Sequence, residues 1–358
     1  MLGLASGPMT ALDIGEGPGL PVVHIIHDNP EWIPPFASAL AAAGVPYREW
    51  TPGDSSFDLA GVPPRGVFWS RLSASAHTRG RPLAKEYGRA VLEWLHDAGR
   101  RVINGRAVLD FEVSKVRQYL ALSRAGFEVP RTIAVLGRDP DELAARARDF
   151  TGPFITKHNQ GGKGIGVRRF EGVDDFRAFL VAPERDEPVD GITLLQEYVR
   201  PAEPFITRAE FVGGRFHYAV RVDISAGSFQ LCPADACAVR GGTEATAAPG
   251  IAPAACARPD APSVFSWRRD VDGDDPFIRR LEGFLTGHGI EIAGVEFIET
   301  DDGRRVVYDV NTNTNYNSAV EDRVPVPAAT AVARFLRTEL ARVAPPAFPL
   351  RSSAARPS

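Results

Sequence analysis

The chain contains 358 residues, 44% of them hydrophobic, with a net charge of −4 and a pI near 6.0. These values predict a globular protein of roughly two or three domains with a substantial core. They give no electrostatic basis for binding nucleic acid or a membrane, and no apolar run approaches the roughly 18 residues of a membrane-spanning helix.

The first part of the chain is a tail followed by alternating strand and helix patterns. Residues 1–20 are unpatterned, which predicts a flexible tail, and they lack the basic and apolar segments of a secretory signal. Between residues 21 and 105, strands are predicted at 22–26, 45–50, 66–70 and 101–104, and helices at 32–43 and 83–98. This order predicts an open, largely parallel α/β domain.

A polar loop follows the third of these strands, at residues 70–79. Ligands of such sheets bind beyond the carboxyl ends of the strands, so this loop is a candidate substrate site. Its candidate residues are Ser73, Ser75, His77 and Arg79. A solvated surface loop is the alternative.

Two lysines follow at positions suited to phosphate. Lys115 lies in the first turn of a helix predicted at 113–126, where the helix dipole disfavours a cation unless an anion binds there. Lys157 ends a strand at 153–157 and precedes a glycine-rich turn containing Lys163. A strand pattern, not a helix, follows this turn, which excludes a Walker A loop and a dinucleotide fingerprint. The pattern predicts a hairpin lid whose N–H groups cover phosphates; the alternatives are an ordinary glycine hairpin and a surface lysine at position 115.

The second half of the chain begins with an apolar strand at 192–199 and a hairpin around Gly213 and Gly214. Arg208 and Arg221 lie on its strands as potential phosphate clamps, with surface or ion-paired arginines as the alternative. Residues 223–270 are rich in Ala, Pro and Gly and predict a mobile insertion. Helices are predicted at 276–288 and 325–343, and a tail at 346–358. The three cysteines, Cys232, Cys237 and Cys256, fit a reducing cytoplasm rather than a disulfide framework.

The final hairpin carries a candidate metal site. Asp309 and Asn311 are two residues apart on a predicted strand, so both point to one face. Glu296 lies on the neighbouring predicted strand and supplies a third oxygen ligand. Carboxylate and amide oxygens suit a hard divalent metal. A polar strand end with an ordinary Asx turn is the alternative.

The order of these features resembles that of the ATP-grasp superfamily of carboxylate–amine ligases, in particular its RimK-like, or alpha-L-glutamate ligase, branch. The resemblance covers residues 106–320. It implies a Rossmann-like pre-ATP-grasp α/β domain at 21–105, followed by two α+β subdomains that clasp ATP. These subdomains are expected at 106–190, with the glycine-rich lid, and at 191–345, with the insertion.

The resemblance also implies roles for individual residues. Lys115 and Lys157 resemble the phosphate lysines, and Gly161, Gly162, Lys163 and Gly164 resemble the lid. The adenine-binding hinge corresponds to Gln196, Glu197, Tyr198 and Val199, with Glu203 as a candidate for the ribose hydroxyls. The Mg²⁺ ligands correspond to Glu296, Asp309 and Asn311, and the catalytic groups to Lys157, Arg208 and Arg221.

Three departures accompany this resemblance. The branch usually has Asp where Glu296 stands and Glu where Asp309 stands; these swaps conserve charge. Ile206 stands where the branch often has Asp. The usual Ser-Pro-Gly ending is replaced by Asn313-Thr314-Asn315, which makes Asn313 and Asn315 candidate substrate residues.

The function implied is formation of an amide or peptide bond between a carboxylate and an amine through an acyl phosphate, with release of ADP and phosphate. The implied cofactors are ATP and two Mg²⁺ ions, with Mn²⁺ as a substitute. Small-molecule or peptide substrates, a cytoplasmic location and a homodimer are expected, without nucleic acid or membrane partners. Two alternatives remain open: a non-catalytic nucleotide-binding regulator or scaffold, and a small-molecule kinase on the same scaffold.

Overall fold

The computed structural model describes residues 21–52, 56–137, 139–162, 164, 166–182, 185–225 and 263–343. The predicted tails at 1–20 and 346–358, most of the predicted insertion, the three cysteines and Lys163 lie outside these residues.

The first sheet is parallel, as predicted. Its elements are β1 Val22–His27, α1 Pro34–Ala42, β2 Tyr47–Trp50, β3 Gly66–Arg71, α2 Ala84–Asp97 and β4 Arg101–Ile103. The strand order is β2-β1-β3-β4, and every neighbouring pair is parallel. Helix α1 begins later than predicted, because residues 30–32 form a separate 3-10 turn and Pro34 opens the helix.

The second sheet carries the glycine-rich turn. Its elements follow two helices, in the order α3 Arg106–Glu112, α4 Lys115–Arg124, β5 Thr132–Leu136, α5 Pro140–Ala147, β6 Phe154–His158, β7 Arg168–Phe170, α6 Val173–Leu180 and β8 Ile192–Glu197. The strand order is β5-β8-β6-β7, with antiparallel pairs throughout. Strands β6 and β7 therefore form the predicted hairpin, and Lys115 lies in the first turn of α4, as predicted.

The third sheet contains both predicted hairpins of the second half. Its elements are β9 Phe205–Val212, β10 Arg215–Asp223, β11 Phe265–Arg268, α7 Pro276–Gly287, β12 Ile292–Glu299, β13 Arg305–Asn311, α8 Ser318–Glu321 and α9 Ala328–Val343. The order is β11-β10-β9-β12-β13, with antiparallel pairs throughout. Gly213 and Gly214 have φ values of 63° and 72°, which the tight turn between β9 and β10 requires. None of the described helices is long and apolar enough to cross a membrane.

Three elements pack across the predicted domain boundaries. Strand β8 pairs with β5 and β6, although the predicted boundary at 190/191 separates it from them. Leu122 of α4 packs into the core of the third sheet, and Leu336 of α9 packs into that of the first. We propose that the second subdomain covers about residues 131–198, that α3 and α4 join the third sheet, and that α9 joins the first.

Asn104 connects the first sheet to the third. It is buried and has a φ of 51°, in the left-handed region that few residues other than glycine adopt. Its Nδ2 donates to the carbonyls of Ile292 (2.7 Å) and Thr312 (3.0 Å), and its Oδ1 accepts from the N–H groups of Glu291 and Ile292. One side chain thus satisfies four backbone groups at the start of β12 and the end of β13.

We expect Asn104→Gly to lower the free energy of unfolding by roughly 2–4 kcal/mol, because these buried backbone groups lose their partners. Asn104→Ala should cost about 1 kcal/mol more, since alanine is strained at this φ. Urea denaturation of both variants measures these differences. Stability equal to wild type in either variant would contradict the role given to Asn104.

Candidate active site

A cleft lined by residues of the second and third sheets and by the loop that follows β3 collects most of the predicted site residues. It contains about 1430 Å³ of space, part of which is open to solvent. The predicted residues that line it are Ser73, Ser75, Lys115, Lys157, Gly161, Gly162, Gly164, Gln196, Glu197, Tyr198, Val199, Arg208, Glu296, Asp309, Asn311, Asn313 and Asn315. His77, Arg79, Glu203 and Arg221 do not line it.

The third sheet separates an apolar face from a charged one. Ala209, Phe211 and Phe297 face the core around α7. Arg208 and Glu296, which are cross-strand neighbours, lie on the opposite face and line the cleft. Because side chains alternate along a strand, the sheet buries its hydrophobic residues on one side and presents charge on the other.

A β-bulge in β13 places the acidic residues at the cleft. Glu296 pairs with Asp309 but Phe297 pairs with Val307, so Tyr308 is the extra residue. Val307 consequently faces the core while Tyr308 and Asp309 both line the cleft. The Tyr308 hydroxyl donates to Glu296 Oε2 at 2.8 Å, which fixes the carboxylate beside the bulge.

Both predicted phosphate lysines are buried and reach the bulged strand. Lys115 Nζ forms an ion pair with Asp309 Oδ1, and Lys157 Nζ donates to the Tyr308 carbonyl and the Tyr119 hydroxyl, both at 3.2 Å. Burial acts to lower the pKa of Lys157, but Tyr119, Asp309 and Glu296 outweigh it and the pKa is raised. Burial acts to raise the pKa of Asp309, but Lys115 and Lys157 outweigh it and the pKa is lowered. Lys157 and Asp309 are therefore both charged at neutral pH.

Arg208 balances a second group of acids. It pairs with Glu210 (Nε–Oε1, 2.6 Å) and with Glu296 (Nη1–Oε1, 2.9 Å). Its guanidinium lies over Gly294, where a Cβ atom would come within 2.7 Å of Nη2, so only glycine permits this approach. Glu210 was missed from the sequence, although its position two residues after Arg208 on one strand places both on the same face.

The donor set of the predicted metal site fits a hard divalent cation. Glu296 and Asp309 are directly opposite on adjacent strands, and Asn311 lies close enough for its Nδ2 to donate to Glu296 Oε1 at 3.3 Å. Two carboxylates and an amide oxygen are ligands that Mg²⁺ accepts. Among the described residues, no cluster of three or more His, Cys, Asp or Glu could hold a metal ion.

The chain from the last residue of β13 onward is a polar run, residues 311–315, of which 312–315 are buried. It is held by acids that were also missed. Glu112 Oε2 accepts from the Thr312 N–H (2.7 Å) and hydroxyl (2.9 Å), and Glu210 Oε2 accepts from the Thr314 hydroxyl (2.9 Å). Burial raises the pKa of Glu112 despite the attraction of Lys115. The threonines thus anchor the run, and Asn311, Asn313 and Asn315, which alternate with them, line the cleft.

The first sheet contributes a charged loop at one end of the cleft. Arg79 Nη2 donates to Asp28 Oδ1 and to Ser73 Oγ, both at 2.7 Å, and its Nη1 donates to Ser75 Oγ at 3.2 Å. Ser73 and Ser75 line the cleft, whereas Arg79 supports them from behind. His77 lies on the 3-10 turn Ala76–Arg79, outside the cleft lining.

The predicted hinge lies at the end of β8. The N–H groups of Glu197 and Tyr198 donate to Arg131 O and Pro153 O, each at 3.0 Å. The Val199 N–H donates to no described residue, so it is available to a ligand in the cleft.

Arg221 is a correction to the predicted site. It pairs in register with Thr207, not with Arg208, and so lies on the α7 face of the sheet. Its guanidinium stacks 3.9 Å from the Phe205 ring centroid and lies 3.6 Å from Glu203, which is itself exposed. On β10, Val220 and Val222, the two residues on either side of Arg221, lie on the opposite face of the sheet. Of the two predicted arginines, only Arg208 lines the cleft.

Comparison of the sequence with known proteins supports the resemblance described above. The chain is 30% identical over 145 residues to a protein named probable alpha-L-glutamate ligase 2 from Pseudoalteromonas atlantica, and 28% identical over 145 residues to probable alpha-L-glutamate ligase from Teredinibacter turnerae. Each match covers 40% of this chain and 46% of the relative, so the chain spans about half the length of the curated relatives it matches. No family model matches the chain.

Comparison of the structure shows the fold. The RimK domain ATP-grasp protein of Sphaerobacter thermophilus matches with a TM-score of 0.58 at 17% identity, over 88% of this chain and 98% of that one. The ATP-grasp ligase PsnB, solved with minimal precursor, Mg and ADP, matches with a TM-score of 0.58 at 16% identity, over 91% and 100%. D-cycloserine synthetase DcsG matches with a TM-score of 0.56 at 15% identity, over 89% and 99%. The chain has the ATP-grasp fold, which confirms the predicted fold class.

The different places of the two arginines give a test that needs no substrate. Arg208→Met should lower the free energy of unfolding by about 3–5 kcal/mol, because Glu210 and Glu296 lose a buried partner. Arg221→Met, the matched control, should change it by less than about 0.5 kcal/mol, since its ion pair is exposed. Denaturant unfolding measures both. Equal losses in the two variants would contradict the assignment of the two arginines to opposite faces.

Proposed function

We propose that the protein is an ATP-dependent ligase that joins a carboxylate to an amine through an acyl phosphate. The observation that carries this proposal is the charge arrangement of the cleft. Lys115, Lys157 and Arg208 converge there on Glu296 and Asp309. The ATP-grasp fold and the relatives named as ligases support the same reaction.

The nucleotide is proposed to lie between the second and third sheets. Adenine would receive a hydrogen bond from the Val199 N–H, because the N–H groups of Glu197 and Tyr198 already have partners. The phosphates would extend toward Lys115 and Lys157, beneath the glycine-rich turn at Gly161 and Gly162. Ribose is not proposed to contact Glu203, since that residue lies outside the cleft.

Glu296, Asp309 and Asn311 would hold Mg²⁺, and we propose two ions, with Mn²⁺ as a substitute. When bound, the metal neutralises the phosphate oxygens and the charge that develops on them during phosphoryl transfer. Asp309 would offer two carboxylate oxygens to the metal, whereas Asn311 would offer one neutral oxygen. Lys115, which forms an ion pair with Asp309, would also contact the phosphates.

The chemistry follows from the charges. A carboxylate oxygen of the substrate attacks the γ-phosphorus, the bond to ADP breaks, and an acyl phosphate forms. Since both reactants are anions, Lys157 and Arg208 are needed to offset their repulsion. The amine nitrogen then attacks the acyl carbon, loses a proton, and phosphate leaves. The glycine-rich turn would exclude water from the acyl phosphate.

The substrates are proposed to be small molecules or peptides, and a homodimer in the cytoplasm is our further expectation. A screen of amino acids and short peptides as carboxylates, with hydroxylamine as the amine, should identify a pair that releases ADP and forms a hydroxamate. Release of AMP and pyrophosphate would contradict the mechanism. A stable phosphorylated product would instead identify a kinase, and nucleotide binding without any turnover would identify a regulator.

Asp309→Asn tests the metal assignment. We expect at least a roughly hundredfold loss of turnover, because the metal site loses a charge worth several kcal/mol in the transition state. Asn311→Asp keeps an oxygen at its position and should show a milder defect. ADP release under saturating Mg²⁺ measures both, and thermal unfolding checks the fold. Near wild-type turnover in Asp309→Asn would remove the main support for the site.

A further inference from the structure

The asparagines of the polar run are held by partners of opposite chemistry. Asn311 Nδ2 donates to Glu296, a carboxylate that only accepts, so the Asn311 oxygen faces away from it. Asn313 Oδ1 accepts from Arg71 Nε at 3.1 Å, and Asn315 Oδ1 accepts from Arg71 Nη2 at 2.9 Å. A guanidinium only donates, so both NH₂ groups face away from Arg71. The hydrogen-bond partner of each side-chain amide therefore determines whether its oxygen or its NH₂ group remains for a ligand.

The Asn313 amide lacks a partner for its donor. Its side chain is 9% exposed, it lines the cleft, and its Nδ2 is buried with no hydrogen bond to any described residue. Buried donors are normally satisfied, and leaving one unsatisfied is unfavourable. A ligand that accepts hydrogen bonds would satisfy it.

The charge behind the asparagines also favours an anion. Arg71 is 2% exposed, and among the described residues none forms an ion pair with it. Its other hydrogen bonds go to the carbonyls of Trp32 (3.3 Å) and Thr314 (2.8 Å), and the Phe36 ring covers it at 4.2 Å. Burial lowers the pKa of Arg71 to about 10, so it remains charged at neutral pH. A buried cation that no described residue pairs with favours a negative ligand nearby.

We propose that Asn313 and Asn315 bind a carboxylate group of the substrate through their NH₂ groups, and that Arg71 positions both amides for this. The inference rests on the proposed ligase function, because it assigns the carboxylate to that reaction's substrate. The polar run leads from Asp309 toward the first sheet, so the cation site at Asn311 and the anion site at Asn313 are adjacent. The phosphates of ATP are the other source of anion, and they are assigned to Lys115 and Lys157.

Acetate, a small carboxylate, serves as the probe, titrated against the full chain saturated with ADP and Mg²⁺. Acetate should raise the melting temperature of the wild type saturably and beyond the effect of equal chloride. Asn313→Asp keeps the oxygen that faces Arg71 but replaces the NH₂ group with a second oxygen. It should therefore fold and weaken acetate binding at least roughly tenfold. Asn29→Asp, the matched charge control, lies outside the cleft lining and keeps the side-chain oxygen that accepts from the Glu31 N–H, so it should retain the acetate response.

Several results would overturn the proposal. They are an acetate response equal in wild type and Asn313→Asp, no response in the wild type, or an equal loss in Asn29→Asp. Inorganic phosphate, titrated in the same way, distinguishes the source of the anion. Its response should survive Asn313→Asp; loss of the phosphate response with retention of the acetate response would assign the site to the nucleotide.

Arg71→Lys tests the positioning role, because lysine keeps the charge but loses the fork that fixes both amides. We expect Arg71→Lys to weaken acetate binding while leaving the affinity for ADP unchanged. If it binds acetate as well as the wild type, the attraction comes from charge and not from oriented amides. A hydroxylamine screen that finds no substrate, together with an acetate response lost in Asn313→Asp, would reject the ligase and retain the carboxylate subsite.

Discussion

The structure depends on balancing several acidic side chains buried within one cleft. Isolated buried carboxylates are strongly unfavourable, and they persist only when cations and hydrogen-bond donors surround them. Lys115 and Lys157 serve Asp309, while Arg208 serves Glu210 and Glu296. Lys115 and Arg208 form ion pairs with these acids, and the charge of Lys157 helps to lower the pKa of Asp309.

The scaffold keeps these charges on one side of the third sheet. Strand alternation sends the apolar residues toward α7, and the bulge at Tyr308 shifts this alternation so that Asp309 reaches the cleft. Asn104 and Glu112 then hold the end of β13 through its backbone and Thr312. The geometry of the cleft is therefore set by residues that are far apart in the sequence.

Much of the fold was predictable from local pattern. The strand and helix order of the first sheet, the glycine-rich hairpin and the placement of Glu296 on the strand beside that of Asp309 all follow from periodicity and turn residues. The features that the sequence did not predict depend on contacts between residues distant in the sequence or on the register of paired strands. Arg71 and Asn313 are 242 residues apart, and no local pattern indicates their contact. Arg221 and Arg208 both lie on strands of one hairpin, so the sequence suggested the same role for both. The register of β9 with β10 places Arg221 on the other face, and only that pairing shows it.

The most direct test of the central claim is to follow an oxygen atom. A carboxylate found by the hydroxylamine screen, labelled with ¹⁸O in its carboxyl group, is converted in the presence of ATP, and the released phosphate is analysed by mass spectrometry. An acyl phosphate requires one carboxylate oxygen to leave with the phosphate, so the account expects labelled phosphate. Unlabelled phosphate, or label carried into AMP, would contradict it.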